Sequence, residues 1–247
     1  MNIDETLNWR IWSRNDLVEE RTYFRAKNEL PEMESAKQLR SIIKSIDAKE
    51  TVLDVGCASG HYLRSIRYLS EKCKYTGVDA TEKYINSAKE VFKDDKNSNF
   101  ILQDIYELNQ KADIVFCCNV LLHLPRIDKP LENLLNAANK KLVIRTLISE
   151  TTHFSKHLYT DDFDNFGNPT NFLFQNTYSF KYIEKLLNRY KPECDFKFVQ
   201  DSFNSGKLDE EGKQWTERQG PATTRVVNNL QIAGNKVFNW AWLVCDF

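Results

Sequence analysis

The feature that most constrains this chain is a short β-branched run that ends on a glycine turn and passes directly into a helical periodicity. Thr51 to Val55 supplies the run, Gly56-Cys57-Ala58-Ser59-Gly60 the turn, and Tyr62, Ile66 and Leu69 then recur on one helical face. Only eight glycines occur in 247 residues, so two of them flanking a strand-end turn mark a close backbone approach. The turn predicts main-chain amides and a helix N-terminus facing a ligand, with little side-chain bulk in the way.

The same unit repeats along the chain. Tyr75 to Asp79 reads as a second strand, followed by an amphipathic stripe of Tyr84, Ile85, Ala88, Val91 and Phe92. Phe100 to Leu102 and Ile114 to Val120 are the third and fourth strands. Leu131, Leu134, Leu135 and Ala138 form the next helical face, and Leu142 to Ile148 is the fifth strand. Strands alternating with helices predict a parallel sheet, because each crossover carries the chain back along a helix packed on the sheet. Phe180, Ile183, Leu186, Leu187 and Tyr190 restart a helix. Phe196 to Val199, Thr223 to Ile232 and Val237 to Phe247 are then strand-like with no helix between them, which predicts antiparallel pairing. The expected fold is α/β: a Rossmann-like, doubly wound, mostly parallel seven-stranded sheet with an antiparallel C-terminal edge. Residues 1–247 read as a single domain, with a helical N-terminal cap over 1–50 and a lid insertion over 150–177. In the cap, Ala36, Leu39, Ile42, Ile43 and Ile46 share a face, and Trp9, Trp12, Tyr23 and Phe24 add aromatic bulk. Covering the ligand edge of the sheet and plain core packing are both open uses for it.

Charge and composition narrow the function classes. Lys plus Arg (34) nearly balance Asp plus Glu (35), so the molecule lacks the field that draws proteins to nucleic acid. The apolar runs are too short for a bilayer span and the start MNIDET has no signal-peptide character, so a cytoplasmic protein without a membrane partner is expected. Six cysteines without a C-x-x-C pair read as reduced, structural thiols. Gly56-x-x-x-Gly60 lacks the glycine frame of a dinucleotide fingerprint, and no Gly-Lys-Ser/Thr follows as in a P-loop. Asp54 would also repel a phosphate.

Val52-Leu53-Asp54-Val55-Gly56-Cys57-Ala58-Ser59-Gly60 resembles the first motif of the class I S-adenosylmethionine (SAM)-dependent methyltransferases, and the resemblance runs over residues 50–150. It implies SAM as cofactor, bound by Asp54, Gly56, Cys57, Ala58 and Gly60. It also implies that Asp79, followed by Ala80, accepts hydrogen bonds from the ribose hydroxyls, a task suited to a carboxylate with two oxygens. Asp104 matches the residue that receives the adenine amino group, Ile105 the one whose amide meets a ring nitrogen, and Asn119 the segment lining the methionine end. Ala58 departs from the family pattern, where many members carry glycine.

Methyl transfer from a sulfonium is an in-line displacement, so the expected demands are alignment and water exclusion rather than a metal. Asn119-Val120-Leu121-Leu122 differs from the Asn/Asp-Pro-Pro-aromatic motif of amide and nucleobase amino methyltransferases, which points to a small-molecule acceptor, at oxygen. A hydroxyl acceptor profits from a base, and His123 stands four residues beyond Asn119. Arg145, charged within an apolar strand run, either orients an acidic group of the acceptor or pairs with a carboxylate of its own chain. His123 and Arg145 are the expected catalytic pair. His153 and His157 have the spacing of one helical face, with Asp161 and Asp162 following; a polar lid face and a metal pair are both open, and no metal is expected. Phe154, Tyr159, Phe163, Phe166, Phe172 and Phe174 of the lid either enclose an acceptor ring or pack as core. A SAM-binding protein without catalysis is the competing class.

Overall fold

β1 (Thr51–Val55) alternates its side chains between two apolar layers, with Val52 packed on one side of the sheet and Leu53 and Val55 on the other, all fully buried. This continuous burial on both faces is what a central parallel strand requires. A computed structural model describes residues 11–14, 16–158, 163–202, 224–227, 230–233 and 236–247. The expectations placed on Trp9, Tyr159, Asp161, Asp162 and Thr223 lie outside these residues.

The other members of the sheet are β2 (Lys74–Asp79), β3 (Ser98–Leu102), β4 (Ala112–Cys118) and β5 (Ala138–Ser149), with β9 (Asp195–Gln200) and β13 (Trp240–Asp246) from the end of the chain. They run in the order β3-β2-β1-β4-β5-β13-β9, and the two-residue β8 (Tyr178–Ser179) adds parallel to β5. β1, β2, β3, β4 and β5 pair in parallel, and β13 is antiparallel to both β5 and β9. Seven strands form one continuous path, as the expected sheet had, and β8 makes the sheet eight-stranded. Its antiparallel member stands one place in from the edge, with β9 outside it.

Helices cover both faces. α2 (Glu34–Ile43), α3 (Tyr62–Leu69) and α4 (Glu82–Val91) bury Leu39, Ile66, Ile85 and Ala88 against Tyr75, Phe116 and Trp242. α5 (Asp128–Ala137) and α6 (Phe180–Tyr190) bury Leu131, Leu134, Ile183 and Leu187 against Val115, Ile144 and Leu243. All six cysteines are free and buried. α1 (Asp16–Ala26) lies against α3 and α4. Among the described residues no helix is long and apolar enough to cross a membrane.

Two expectations change. The segment expected as one strand over Thr223 to Ile232 does not join the main sheet. β10 (Thr224–Val227), β11 (Leu230–Ala233) and β12 (Lys236–Phe238) form a separate antiparallel sheet. The 150–177 stretch contains a small hairpin of β6 (Lys156–Leu158) and β7 (Phe172–Phe174). His157 lies on β6 and His153 in an isolated bridge to Thr177, so the backbone is extended where a shared helical face was one reading. The two histidines therefore do not share a helical face. No group of His, Cys, Asp and Glu suited to a metal ion occurs among the described residues.

Candidate active site

The order of the strands places a crevice between the carboxyl ends of β1 and β4, where the chain has gone outward through β2 and β3 and returned to the other side of β1. Gly56, just past β1, takes φ +78°, and a Cβ built there would lie 2.2 Å from Val120 Cγ2 beyond β4. Gly60 takes φ +76° and faces Phe100, 2.8 Å from where its Cβ would stand. Glycine is therefore required by backbone conformation and by the closeness of its neighbours. Ala58 between them also adopts the left-handed region, at φ +47°, which costs a residue bearing a Cβ roughly 1–2 kcal/mol.

Four amides of this turn are spent inside the protein, where the sequence suggested amides facing a ligand. Gly56 and Cys57 both donate to Val78 O, at 2.8 and 3.0 Å, and Gly60 donates to Cys57 O at 2.9 Å. Ala58 N donates to Asp79 Oδ2 at 2.9 Å. Four amides thus tie β1 to β2 and close the turn. What the turn offers a ligand is a surface stripped of bulk, with the Asp79 carboxylate at its side.

Asp79 is positioned from two directions, since its other oxygen, Oδ1, accepts from Thr81 N at 2.9 Å. Burial raises its pKa, and the backbone donors at Thr81 and Ala58 oppose the rise. Each oxygen keeps a second lone pair with which to accept from a hydroxyl. Asp54 is different. It is 1% exposed beneath the turn, and Tyr75 OH donates to its Oδ2 at 2.5 Å. Burial pushes its carboxyl up to about 8, against the Tyr75 bond and with help from the charge of Asp79. Asp54, expected among the cofactor residues, is thus buried at β1 and bonded to Tyr75.

At the end of β3, Asp104 Oδ1 accepts from Tyr106 N at 3.0 Å and so caps the short 3-10 turn Ile105–Glu107. Asn133 of α5 donates to Ile105 O and Tyr106 O, both at 2.9 Å, and holds this loop to the body of the protein.

Beyond β4, Asn119 occupies the left-handed region at φ +62° and its N–H donates to Arg145 O at 3.0 Å. Strain of this kind in a residue other than glycine gathers at functional sites. The 3-10 turn Leu121–His123 follows. His123 Nδ1 is 2.8 Å from Phe174 O, and a carbonyl only accepts, so Nδ1 carries the proton. The neutral ring then has its lone pair on Nε2. Asn176 N donates to Leu122 O, Asn176 Nδ2 to Leu124 O and Tyr178 OH to Leu121 O, which fix the turn that carries the imidazole.

Arg145 does not reach out toward an acceptor. Its guanidinium, 8% exposed, meets Asp201 of its own chain through Nε at 2.7 Å and Nη2 at 2.6 Å, the second of the two uses open in the sequence. It also lies over Trp240, 4.1 Å from the ring centroid.

Several contacts around the site escaped the sequence reading. Thr22 of α1 and Ser59 of the glycine turn, both buried, are joined by a 2.9 Å hydrogen bond. The Thr22 hydroxyl also stands within hydrogen-bond distance of Val18 O and Glu19 O, at 3.0 and 3.1 Å, and either hydroxyl can be the donor in the pair with Ser59. Trp12 sets its ring on edge against His123, with centroids 4.7 Å apart. His61, capping α3, is pushed down to about 3 by burial and by the charge of Arg25, and is neutral. A threonine inside a helical run and a histidine after a glycine give no signal of such contacts.

The fold, the glycine turn and the acidic residues closing β2 and β3 define a class I SAM-dependent methyltransferase. The family model described as a methyltransferase domain matches residues 46–190, and the chain belongs to that family. SAM is the cofactor. Curated protein sequences returned no match. Among solved structures, magnesium protoporphyrin IX methyltransferase from Synechocystis PCC 6803 with bound S-adenosylhomocysteine (SAH) shares the fold at a TM-score of 0.58, with 14% identity over 99% of each chain. Coclaurine N-methyltransferase bound to N-methylheliamine and SAH does so at 0.56, with 14% identity over 86% of this chain and 70% of its own.

Proposed function

We propose that the protein transfers the methyl group of SAM to a hydroxyl of a small molecule, a metabolite or sugar, with His123 as general base. The observation that carries this reading is the hydrogen bond from His123 Nδ1 to Phe174 O, which selects the tautomer whose Nε2 accepts a proton. Bound SAM supplies an electrophilic methyl group on a sulfonium. The residues present suit it. Asp79 is tethered through both oxygens and takes the ribose diol; Gly56, Cys57, Ala58, Gly60 and Ala80 form the close-approach surface beside it. Asp104 and the Ile105 amide meet the adenine, and Asn119 lines the methionine end. His123 receives the acceptor's hydroxyl proton at Nε2, and Trp12 supplies an apolar wall next to that ring. The N-terminal cap and the 150–177 stretch, both touching His123, keep water from the transfer within a single domain. The near balance of acidic and basic residues supports a small acceptor over nucleic acid, and a cytoplasmic setting fits the six free cysteines. Magnesium protoporphyrin IX and coclaurine, after which the two neighbours are named, are small molecules.

The test is SAH formation on adding a small-molecule cell extract, followed by His123→Ala. The variant should keep its SAH affinity and lose turnover by ~10²-fold or more. Turnover within a few-fold of the wild type would refute base catalysis at His123. SAH binding with no turnover across broad acceptor panels would instead identify a regulatory SAM-binding protein.

A further inference from the structure

Three elements converge on one guanidinium. Arg145 of β5 spends Nε and Nη2 on Asp201 Oδ2, and Nη1 donates to Asn119 Oδ1 at 2.6 Å. Asp201, which follows β9, is held in turn by Gln38 of α2, whose Nε2 donates to Asp201 Oδ1 at 2.8 Å. Gln38 is itself oriented, because Trp242 Nε1 and Ser202 N both donate to its Oε1, at 3.1 and 3.0 Å. Trp240 and Trp242 lie over the guanidinium at 4.1 and 5.7 Å from their ring centroids. A guanidinium carries donors and no acceptor, so only the carbonyl arm of Asn119 can face it. Nδ2 is then on the opposite arm, at the open end of β4. Asn119 is only partly buried, and among the described residues its Nδ2 has no protein partner.

We propose that Arg145 is a positioning residue that acts through Asn119. Anchored by Asp201, it fixes the carboxamide so that an N–H donor is presented to the methyl-transfer crevice, and the ligand group received there is an oxygen acceptor, a carboxylate or carbonyl. The proposal rests on the methyltransferase reading of the same site. The left-handed backbone of Asn119 belongs to the device, since the Arg145 carbonyl takes its N–H while the Arg145 side chain takes its Oδ1. One residue of β5 thereby sets both the backbone and the side chain of the residue beyond β4. The oxygen has two sources, the carboxylate at the amino-acid end of the cofactor or a group on the acceptor.

Asn119→Asp is the discriminating variant. It keeps an oxygen for Arg145 and replaces the donor by an acceptor. Calorimetry with SAH and with methylthioadenosine, which lacks the amino-acid portion, is paired with turnover on a small-molecule extract. Loss of SAH affinity by about tenfold or more with methylthioadenosine unchanged assigns the oxygen to the cofactor. Unchanged SAH affinity with turnover lowered by about tenfold or more assigns it to the acceptor. Both quantities within about twofold of the wild type overturn the proposal. Arg145→Lys keeps a charge beside Asp201 but loses the fork, and it should weaken the same quantity. Combined with Asn119→Ala, it should do no more than Asn119→Ala alone, whereas multiplying effects would overturn action through Asn119. Thermal unfolding checks that each variant is folded, and if Arg145→Lys is not, the Asn119→Asp arm decides. Wild-type protein with neither SAH binding nor turnover would refute the methyltransferase reading itself, a result distinct from all of these.

Discussion

Two carboxylates one strand apart are put to opposite uses by what surrounds them. Asp79 has a backbone N–H on each oxygen and stands beside the turn, so it suits the diol of a bound nucleoside. Asp79→Ala should leave the fold intact and lower SAM affinity by about tenfold to more than a hundredfold, since a hydrogen bond to a charged group contributes ~1.5–3 kcal/mol. Calorimetry showing wild-type affinity in the folded variant would remove Asp79 from the site. Asp54 has one hydroxyl donor and no exposure, and its carboxyl sits at about 8 instead of 3.8. Between those values the unfolded chain ionises while the folded one keeps its proton. Stability therefore falls as pH rises through this window, and the loss is complete above about 8. Asp54→Asn keeps an acceptor for Tyr75 and cannot ionise, so its gain in Tm over the wild type should grow from about pH 5 to about pH 8 by scanning calorimetry. A gain that is flat across that range would show that Asp54 is not held as the neutral acid.

At the scale of elements, the alternation of strands and helices from Thr51 to Ser149 was legible because burial on both sheet faces demands continuous apolar strands and one-sided helices. The glycine turn was legible for a related reason. Little but glycine satisfies φ +78° with Val120 Cγ2 2.2 Å from a would-be Cβ. The direction of the turn's amides was not, because their acceptor, Val78 O, belongs to a neighbouring strand and pairing partners leave no mark in local sequence. The same limit hid the β6–β7 pair and the division of the strand-like 223–238 region into a separate three-stranded sheet. β6 and β7 are three residues each, and β10, β11 and β12 are three or four, below the length at which a period can be told. His153 and His157 carry the spacing of a helix and lie in extended chain, since four residues cannot distinguish the two. Among the candidate site residues, Asp79, Asp104 and Asn119 were readable as strand-end positions, and the structure has them at or just past the ends of β2, β3 and β4. Arg145 was readable only as an anomaly, because its partner Asp201 is 56 residues away. An element-scale prediction follows from Gly56. Gly56→Ala should destabilise the protein, and Gly56→Ala with Val120→Ala should recover part of the lost Tm by opening the space that Val120 Cγ2 fills. No recovery in thermal unfolding would mean that backbone conformation alone makes glycine necessary there.

Across the whole molecule, the strand-end crevice is bounded by contacts that run from the cap to the hairpin. α1 is clamped to α4, where Lys83 meets Asp16 and Glu19 and Ser87 donates to Glu19. From there Thr22 reaches Ser59 in the glycine turn, and Tyr84 OH donates to Trp12 O. Trp12 leans on His123, which donates to Phe174 O in the hairpin, and Asn176 binds the turn that carries His123. Both covers therefore meet at the imidazole, and the cap also grips the cofactor turn. A ligand beneath such a cover has to be released before the cover opens widely, so its binding free energy is added to the cost of opening. With SAH at about 100 times its Kd that addition is ~2.7 kcal/mol, equivalent to about a hundredfold slower exchange of amides that depend on the opening. Hydrogen exchange with and without SAH should show this slowing in residues 11–26 and in parts of 150–177, while amides of the exposed strand β9 should change much less. Equal exchange of the cap and the hairpin in the two states would mean that the contacts at Thr22, Trp12 and His123 persist whether or not the cofactor is bound, and that entry to the crevice follows another route.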